Sequence, residues 1–123
     1  MSLVNKLVRN KVPHLYALRN NIKADLMVLP PLAHESALFD KLNEEIEELK
    51  DSQTRDNVFE EAADIIEIIY SIVMVNNCVE RDSAIASIHD KINFKFKKDG
   101  SYSDGYWMTL NKDLIKDYHE KGK

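Results

Sequence analysis

The chain has 123 residues, the length of one domain (residues 1–123), and its 44% apolar and 31% charged content is typical of a soluble globular protein. With only three glycines and three prolines, the composition favours long regular elements over a turn-rich β fold. The formal net charge of −4 gives no basic footprint for nucleic acid or an anionic membrane, so neither is expected as a partner.

The N-terminal stretch up to Pro13 is basic and is predicted to be extended or irregular. Three cations fall within six residues, namely Lys6, Arg9 and Lys11. Such a run is either an ordinary solvated surface or a set of donors that folds over an anionic ligand, and composition alone favours the solvated surface. Pro13 is expected to start a short helix through about Asn20, because proline fits the first turn of a helix. Residues 22–29, followed by Pro30, indicate a short strand or an extended linker.

A first acidic helix is predicted over about residues 34–51, where apolar side chains recur at helical spacing. These side chains are Leu38, Leu42, Ile46 and Leu49. Glu45 lies at the edge of their stripe, and Glu48 follows one turn further along. Glu44 and Glu47 point away from the stripe. Because acid-rich helix faces are usually solvated, this helix alone does not indicate a site.

A second acidic helix is predicted from about residue 58 to residue 77, after a polar connection that lets the two helices form an antiparallel hairpin. This helix is apolar around most of its circumference, although its longest apolar run is too short to span a bilayer. Glu61 precedes Ile65 by one turn and Ile68 by two, so Glu61 lies on an apolar ridge, with Asp64 one turn later. A carboxylate on a buried ridge is costly unless something pairs with it.

The two helices each present a pair of acids three residues apart, and a hairpin can bring both pairs to one point. The pairs are Glu45 with Glu48, and Glu61 with Asp64. Four carboxylates supply oxygen-only ligation, which suits a hard divalent cation such as Mg²⁺. We therefore expect a metal site between the two helices.

A third helix is predicted to begin near residues 80–83 and to end in a basic run before Asp99. Its inner face is expected to comprise Ala84, Ile85, Ile88 and Ile92. The basic run is typical of a solvated helix end that complements the helix dipole, and it contains Lys91, Lys95, Lys97 and Lys98.

Two further features concern Cys78 and the C-terminal stretch. Cys78 is expected in the core near a helix end, and as the only cysteine it cannot form an internal disulfide, which indicates a reducing cytoplasm. Residues 106–110 are predicted as a short strand or a packed tail, with Trp107 as an anchor in the core or in a subunit contact. Residues 111–123 are expected to form one frayed helix.

The acid spacing resembles a known signature. Glu44-Glu45-x-x-Glu48, twelve intervening residues and Glu61-x-x-Asp64 are similar to the EExxE…ExxD pattern of the MazG-like all-α nucleoside triphosphate pyrophosphohydrolases, which include phosphoribosyl-ATP pyrophosphohydrolase-like proteins. The run KLVRNKVP over residues 6–13 resembles the KLVRDKIP start of one house-cleaning branch. Gly100-Ser101-Tyr102 resembles the RGGF segment of that branch, so the resemblance covers roughly residues 5–110.

This resemblance implies an all-α antiparallel helical bundle that assembles as a homodimer or a homotetramer. It also implies Mg²⁺-dependent hydrolysis of a nucleoside or deoxynucleoside triphosphate, standard or non-standard, to the monophosphate and pyrophosphate. Mn²⁺ is the expected substitute for Mg²⁺. Short extended segments are expected near the N-terminus and after residue 99.

By position, the family's Mg²⁺ ligands correspond to Glu45, Glu48, Glu61 and Asp64. Glu48 or Glu44 is expected to position the attacking water. The residues that the resemblance places near substrate are Lys6, Arg9, Lys11, Lys91 and Lys95. The last two match the family's basic pair when the register is shifted by four, whereas an ungapped alignment puts Asp99 at the arginine of RGGF. Asn10 stands where the branch has aspartate.

The sequence also bears on two other classes of protein. A helical di-iron carboxylate protein is disfavoured, because no glutamate of the chain has a histidine three residues later. A non-catalytic helical module that binds a nucleotide or a protein is the alternative that stays open. The intact set of four acids argues against it, and the altered stretch over residues 95–102 argues for it.

Overall fold

The structure, a computed structural model, describes residues 5–20 and 25–115, and all regular elements in these two ranges are helical. The helices are α1 (Val12–Asn20), α2 (Pro31–Lys50), α3 (Arg55–Asn77) and α4 (Arg81–Asp99), followed by one 3₁₀ turn (Lys112–Leu114). The prediction of an all-α fold is therefore confirmed for the described residues. The chain divides into two compact units, residues 1–89 and residues 90–123, and the assignment of one domain stays a prediction.

Local chemistry sets the ends of α2 and α3. Pro31 stands in the first turn of α2, where the missing N–H has no helical partner to lose, so α2 begins three residues before the predicted start. Thr54 caps α3: its hydroxyl oxygen accepts a hydrogen bond from the Asn57 backbone N–H at 3.2 Å. Cys78 ends α3 in the left-handed conformation, with φ of 52°. Cys78 is exposed there, so its expected place in the core is wrong.

A small core joins α2 to α3. Leu38 near the start of α2 is buried with Ile68 and Ile72 from the second half of α3, so the two helices run antiparallel, as predicted. Leu7 from the N-terminal segment packs against the same core. This contact seats the segment that precedes α1 on the α2–α3 hairpin.

The first turns of α4 contact α3 through polar and aromatic side chains. Arg81 Nη2 lies 2.7 Å from Glu67 Oε1, and its guanidinium lies over the Tyr70 ring. The Tyr70 hydroxyl lies 3.1 Å from His89 Nε2, and Ala84 is buried. The Glu67 carboxylate raises the pKa of Arg81. This network fixes the start of α4 within the first unit.

The second unit differs from expectation at several positions. Ile92, expected on an inner face, is exposed, and so is Trp107, which is 93% exposed and therefore lies outside any core of this structure. Residues 106–110 form no strand, and the 3₁₀ turn is the single regular element between residue 100 and residue 115. In the first unit, residues 25–30 form no strand, which leaves the linker of the two alternatives predicted there. The rest of the predicted frayed helix, residues 116–123, lies outside the described ranges, as do residues 21–24.

None of the helices in the described ranges has both the length and the apolar character that crossing a membrane requires.

Candidate metal centre

The hairpin brings acids from α2 and α3 to one place. Glu45 from α2 joins Glu61 and Asp64 from α3, with one carboxylate oxygen from each within 4.8 Å of the others. A second group, within the same distance, consists of Glu44, Glu45 and Glu48. Glu45 belongs to both groups, so the four predicted metal ligands gather around it. We call Glu44, Glu45, Glu48, Glu61 and Asp64 the acidic cluster.

Glu45 is the buried member of the cluster, with 6% of its surface exposed. Its Oε2 atom has no hydrogen-bond partner in the described part of the chain, and the same is true of Glu61 Oε2. A buried polar atom without a partner costs free energy, and a buried carboxylate costs more than a neutral group. Neither oxygen has a donor among the described residues, and a cation or a proton would satisfy them.

The relative burial of Glu45 and Glu61 is the reverse of the one that the sequence indicates. Glu45 is expected at the edge of the apolar stripe and Glu61 on a buried ridge, whereas Glu45 is buried and Glu61 is half-buried. Helix α3 carries apolar side chains on several of its sides. The side that meets α2 is centred on Ile68 and Ile72. Glu45 lies two turns after Leu38 on α2 and is buried where α2 meets α3.

Lys41 provides one positive charge beside the cluster. Its Nζ atom lies 3.4 Å from Glu45 Oε1 and 3.5 Å from Glu44 Oε1. Burial lowers the pKa of Lys41, but Glu44 and Glu45 more than offset this and raise it. Lys41 is not among the site residues that the sequence predicts. Its position one turn before Glu45, where an i, i+4 ion pair forms on a helix, is the signal that marks it.

The carboxyls of Glu45 and Glu61 lie close together, with one oxygen of each within 4.8 Å of the other, and a proton on either one supplies the donor that the ionised pair lacks. The hydrogen bond to Glu45, burial, and the neighbouring Glu48 raise the pKa of Glu61 to about 7. Burial acts to raise the pKa of Glu45 as well, but hydrogen bonds to Glu61, Glu48 and Lys41 hold it below its usual range. One proton held on Glu61 and shared with Glu45 therefore satisfies the two carboxyls when no cation does.

Arg9 contacts the cluster from the N-terminal segment. Its Nη2 atom donates a hydrogen bond to Asp64 Oδ1 at 2.7 Å, across 55 residues of sequence. Composition favours a solvated basic run over one that folds over an anion, whereas the structure pairs one of its cations, Arg9, with an acid. Lys6 and Lys11 are exposed and form no ion pair within the described ranges.

The remaining predicted residues fall in three places. Glu44 is expected to point away from the stripe, and its side chain is exposed, yet its carboxylate reaches both Glu45 and Glu48. Glu47 does point away and pairs with Lys50 at 3.1 Å. Lys91 and Lys95 are exposed on the part of α4 that belongs to the second unit.

The donor set fits a hard divalent cation. All five members of the cluster offer carboxylate oxygens, which are the ligands that Mg²⁺ and Mn²⁺ prefer, and no nitrogen or sulfur ligand belongs to either described group. The unpartnered Glu45 Oε2 lies at the point where the two groups overlap. The residues present are therefore able to hold such an ion.

Comparison of the chain with protein-family models, with curated proteins and with solved structures finds no match. No residue role is transferred from a relative, so the chemistry of the centre is inferred from its own geometry. The similarity to MazG-like pyrophosphohydrolases stays a prediction based on the motifs.

Proposed function

We propose that this chain is a Mg²⁺-dependent nucleoside triphosphate pyrophosphohydrolase of the house-cleaning type. Its substrate would be a ribo- or deoxyribonucleoside triphosphate, standard or non-standard, and its products the monophosphate and pyrophosphate. The observation that carries the proposal is the buried, unpartnered Glu45 Oε2 among acids from two helices. The EExxE…ExxD spacing supports the same reaction class.

Glu45, Glu48, Glu61 and Asp64 would hold the ion. When bound, Mg²⁺ offsets the negative charge of a triphosphate, polarises the phosphoryl oxygen and increases the acidity of water. Ligation requires ionised carboxylates, so the proton shared by Glu45 and Glu61 has to leave as the ion enters. Affinity for Mg²⁺ should therefore rise as the pH passes about 7, the pKa of Glu61.

Other residues of the chain would act on water and on phosphate. Glu48, which is exposed beside Glu45, would orient a water molecule and accept its proton, and Glu44 is the other carboxylate in reach. Arg9 would contact the phosphates together with Lys6 and Lys11, because guanidinium and ammonium groups pair strongly with phosphate oxygens. The roles of Lys91 and Lys95 rest on the resemblance.

The decisive experiment is a product assay. The purified protein is incubated with mixed dNTPs and Mg²⁺, and release of pyrophosphate rather than phosphate is expected. The Glu61→Gln variant should lose this release, whereas Glu47→Gln should keep it, because Glu47 is an exposed acid on the same helix as Glu45 that pairs with Lys50. Nucleotide binding without pyrophosphate release would favour the non-catalytic module, and release that survives Glu61→Gln would contradict the assigned centre.

A further inference from the structure

Arg9 forms an ion pair with Asp64, one of the carboxylates proposed to hold the metal. Its ion pair with Asp64 is short, at 2.7 Å, but the two side chains are 59% and 41% exposed. Exposed ion pairs are weak, so this contact is exchangeable. Leu7, two residues earlier, packs against the hairpin core, so the backbone at Arg9 would stay near the cluster if the ion pair opened.

Arg9 and Lys41 neutralise the cluster in different ways. Lys41 lies on the same helix as Glu45 and contacts Oε1, which leaves Oε2 available. Arg9 comes from another segment and donates directly to Asp64 Oδ1. A divalent cation beside that oxygen would repel the guanidinium, since two positive charges at one carboxylate oppose each other.

We propose that Arg9 holds the place of the metal: it pairs with Asp64 in the metal-free protein and is displaced when a divalent cation binds. The displaced guanidinium, still tethered through Leu7, is then available to the phosphates of the nucleotide. This exchange rests on the proposed metal site and adds an order of events, in which the cation enters before Arg9 contacts substrate.

Competition for Asp64 has a thermodynamic consequence that is independent of catalysis. If Arg9 weakens metal binding, the metal must weaken the Arg9 contact by the same factor. Removal of Arg9 should therefore increase affinity for Mg²⁺ in the absence of nucleotide. Addition of Mg²⁺ to the parent should loosen residues 5–11.

Both effects are measurable on the full chain without substrate. Thermal unfolding is followed during a Mg²⁺ titration of the parent, Arg9→Ala, Arg9→Gln and Lys11→Ala. Lys11→Ala removes a charge from the same segment, but Lys11 has no ion pair in the described ranges. The two Arg9 variants should reach half of their stabilisation at roughly two- to fivefold lower Mg²⁺, the range that a weak exposed ion pair supports, and Lys11→Ala should follow the parent.

Hydrogen–deuterium exchange at the Val12 N–H, which donates to the Arg9 carbonyl at 3.0 Å, separates displacement from a general charge effect. Exchange in the parent should become faster on addition of Mg²⁺, and exchange in Arg9→Ala should be fast with or without the ion. If Mg²⁺ stabilises the parent and both Arg9 variants at the same concentration, the displacement is refuted while the metal site stands. If Mg²⁺ stabilises none of the four proteins, the metal site and the displacement both fail.

Discussion

At the scale of single residues, Glu61 controls the charge of the centre. Glu61→Gln removes a carboxyl that can ionise and supplies an amide donor close to the unpartnered Glu45 Oε2. Without Mg²⁺ we expect the variant to be at least as stable as the parent. It should gain much less from Mg²⁺, because an ion stabilises only the state that binds it, and it should lose nearly all pyrophosphohydrolase activity.

The measurement is the melting temperature with and without Mg²⁺, together with the pyrophosphate assay. Glu47→Gln is the control, since it changes an acid on α2 that pairs with Lys50 outside the cluster. A parent that Mg²⁺ does not stabilise, and a Glu61→Gln variant that behaves like it, would mean that these acids are only a solvated face.

The pKa of Glu61 also predicts how stability depends on pH. This pKa is about 7 in the folded protein against an ordinary value of 4.5, so the folded state binds the proton more tightly than the unfolded chain does. The resulting stabilisation is complete below about pH 4.5 and is lost as the pH rises through about 7. The lowered pKa of Glu45 acts in the opposite direction, but only at pH values below its ordinary 4.5.

We therefore expect the melting temperature of the metal-free parent to fall between about pH 5 and pH 8, and the curve for Glu61→Gln to be flatter in that interval. Melting curves recorded in EDTA across this range provide the test. A parent that becomes more stable over the same interval would show that Glu61 is not the group that holds the proton.

Arg9→Ala should affect catalysis and metal binding in opposite directions. A charge-assisted contact to phosphate is worth about 1.5–3 kcal/mol, so loss of the guanidinium should lower kcat/KM roughly 10- to 100-fold. The fold should be preserved, because Arg9 is an exposed residue. Steady-state kinetics at saturating Mg²⁺ provide the measurement. An unchanged kcat/KM would show that Arg9 is a solvated surface residue with no role in binding substrate.

At the scale of elements, helical periodicity predicts the helices and the converging acids of the α2–α3 hairpin. It predicts little of the structure outside that hairpin. The two acidic helices, their antiparallel pairing and the convergence of four acids follow from spacing along the chain. The burial of Glu45 rather than Glu61 does not, because α3 is apolar on more than one side and its pattern alone does not identify the side that meets α2. The Arg9–Asp64 contact escapes prediction for a different reason: nothing in the pattern links positions 55 residues apart.

In the second unit, burial is predicted even less well from the pattern of a single element. Ile92 and Trp107 have the character of core residues, yet both are exposed. Burial of an apolar side chain depends on a partner surface, and the sequence of a single helix or tail does not specify one. The short strand predicted over residues 106–110 likewise lacks a neighbour with which to pair its backbone, and this stretch is irregular in the structure.

The cap at the start of α3 offers a test of the hairpin as an element. Thr54→Ala removes the acceptor for the Asn57 N–H and should lower the free energy of unfolding by about 1 kcal/mol. Thr54→Ser keeps the hydroxyl and should stay close to the parent. Urea unfolding at constant pH would measure both, and equal losses for the two variants would assign the effect to the methyl group rather than to the cap.

At the scale of the whole molecule, the first unit leaves an apolar stripe of α3 in solvent. Val58, Phe59, Ile66 and Ile69 are exposed, with Phe59 at 60%. Exposed apolar patches of this kind usually mark an interface. We predict a homodimer whose interface includes α3, and Trp107 is a further candidate for it.

Sedimentation at micromolar concentration tests the assembly. The parent should run as a dimer, and Ile66→Lys should shift it toward monomer, because a charge in an apolar interface opposes association. Ser71→Lys, which places the same charge on the opposite side of α3 from this apolar stripe, is the matched control and should leave the assembly unchanged. A well-folded monomeric parent would refute the prediction.

The order of residues along the chain has a consequence for synthesis. Proteins emerge from the ribosome N-terminus first, so Arg9 and Lys41 are made before Glu61 and Asp64, the acids that complete the cluster. The hairpin can close through its short connection while residues 90–123 are still to be translated. A nascent chain thus has its own counter-ions in place before the repulsive carboxylates meet.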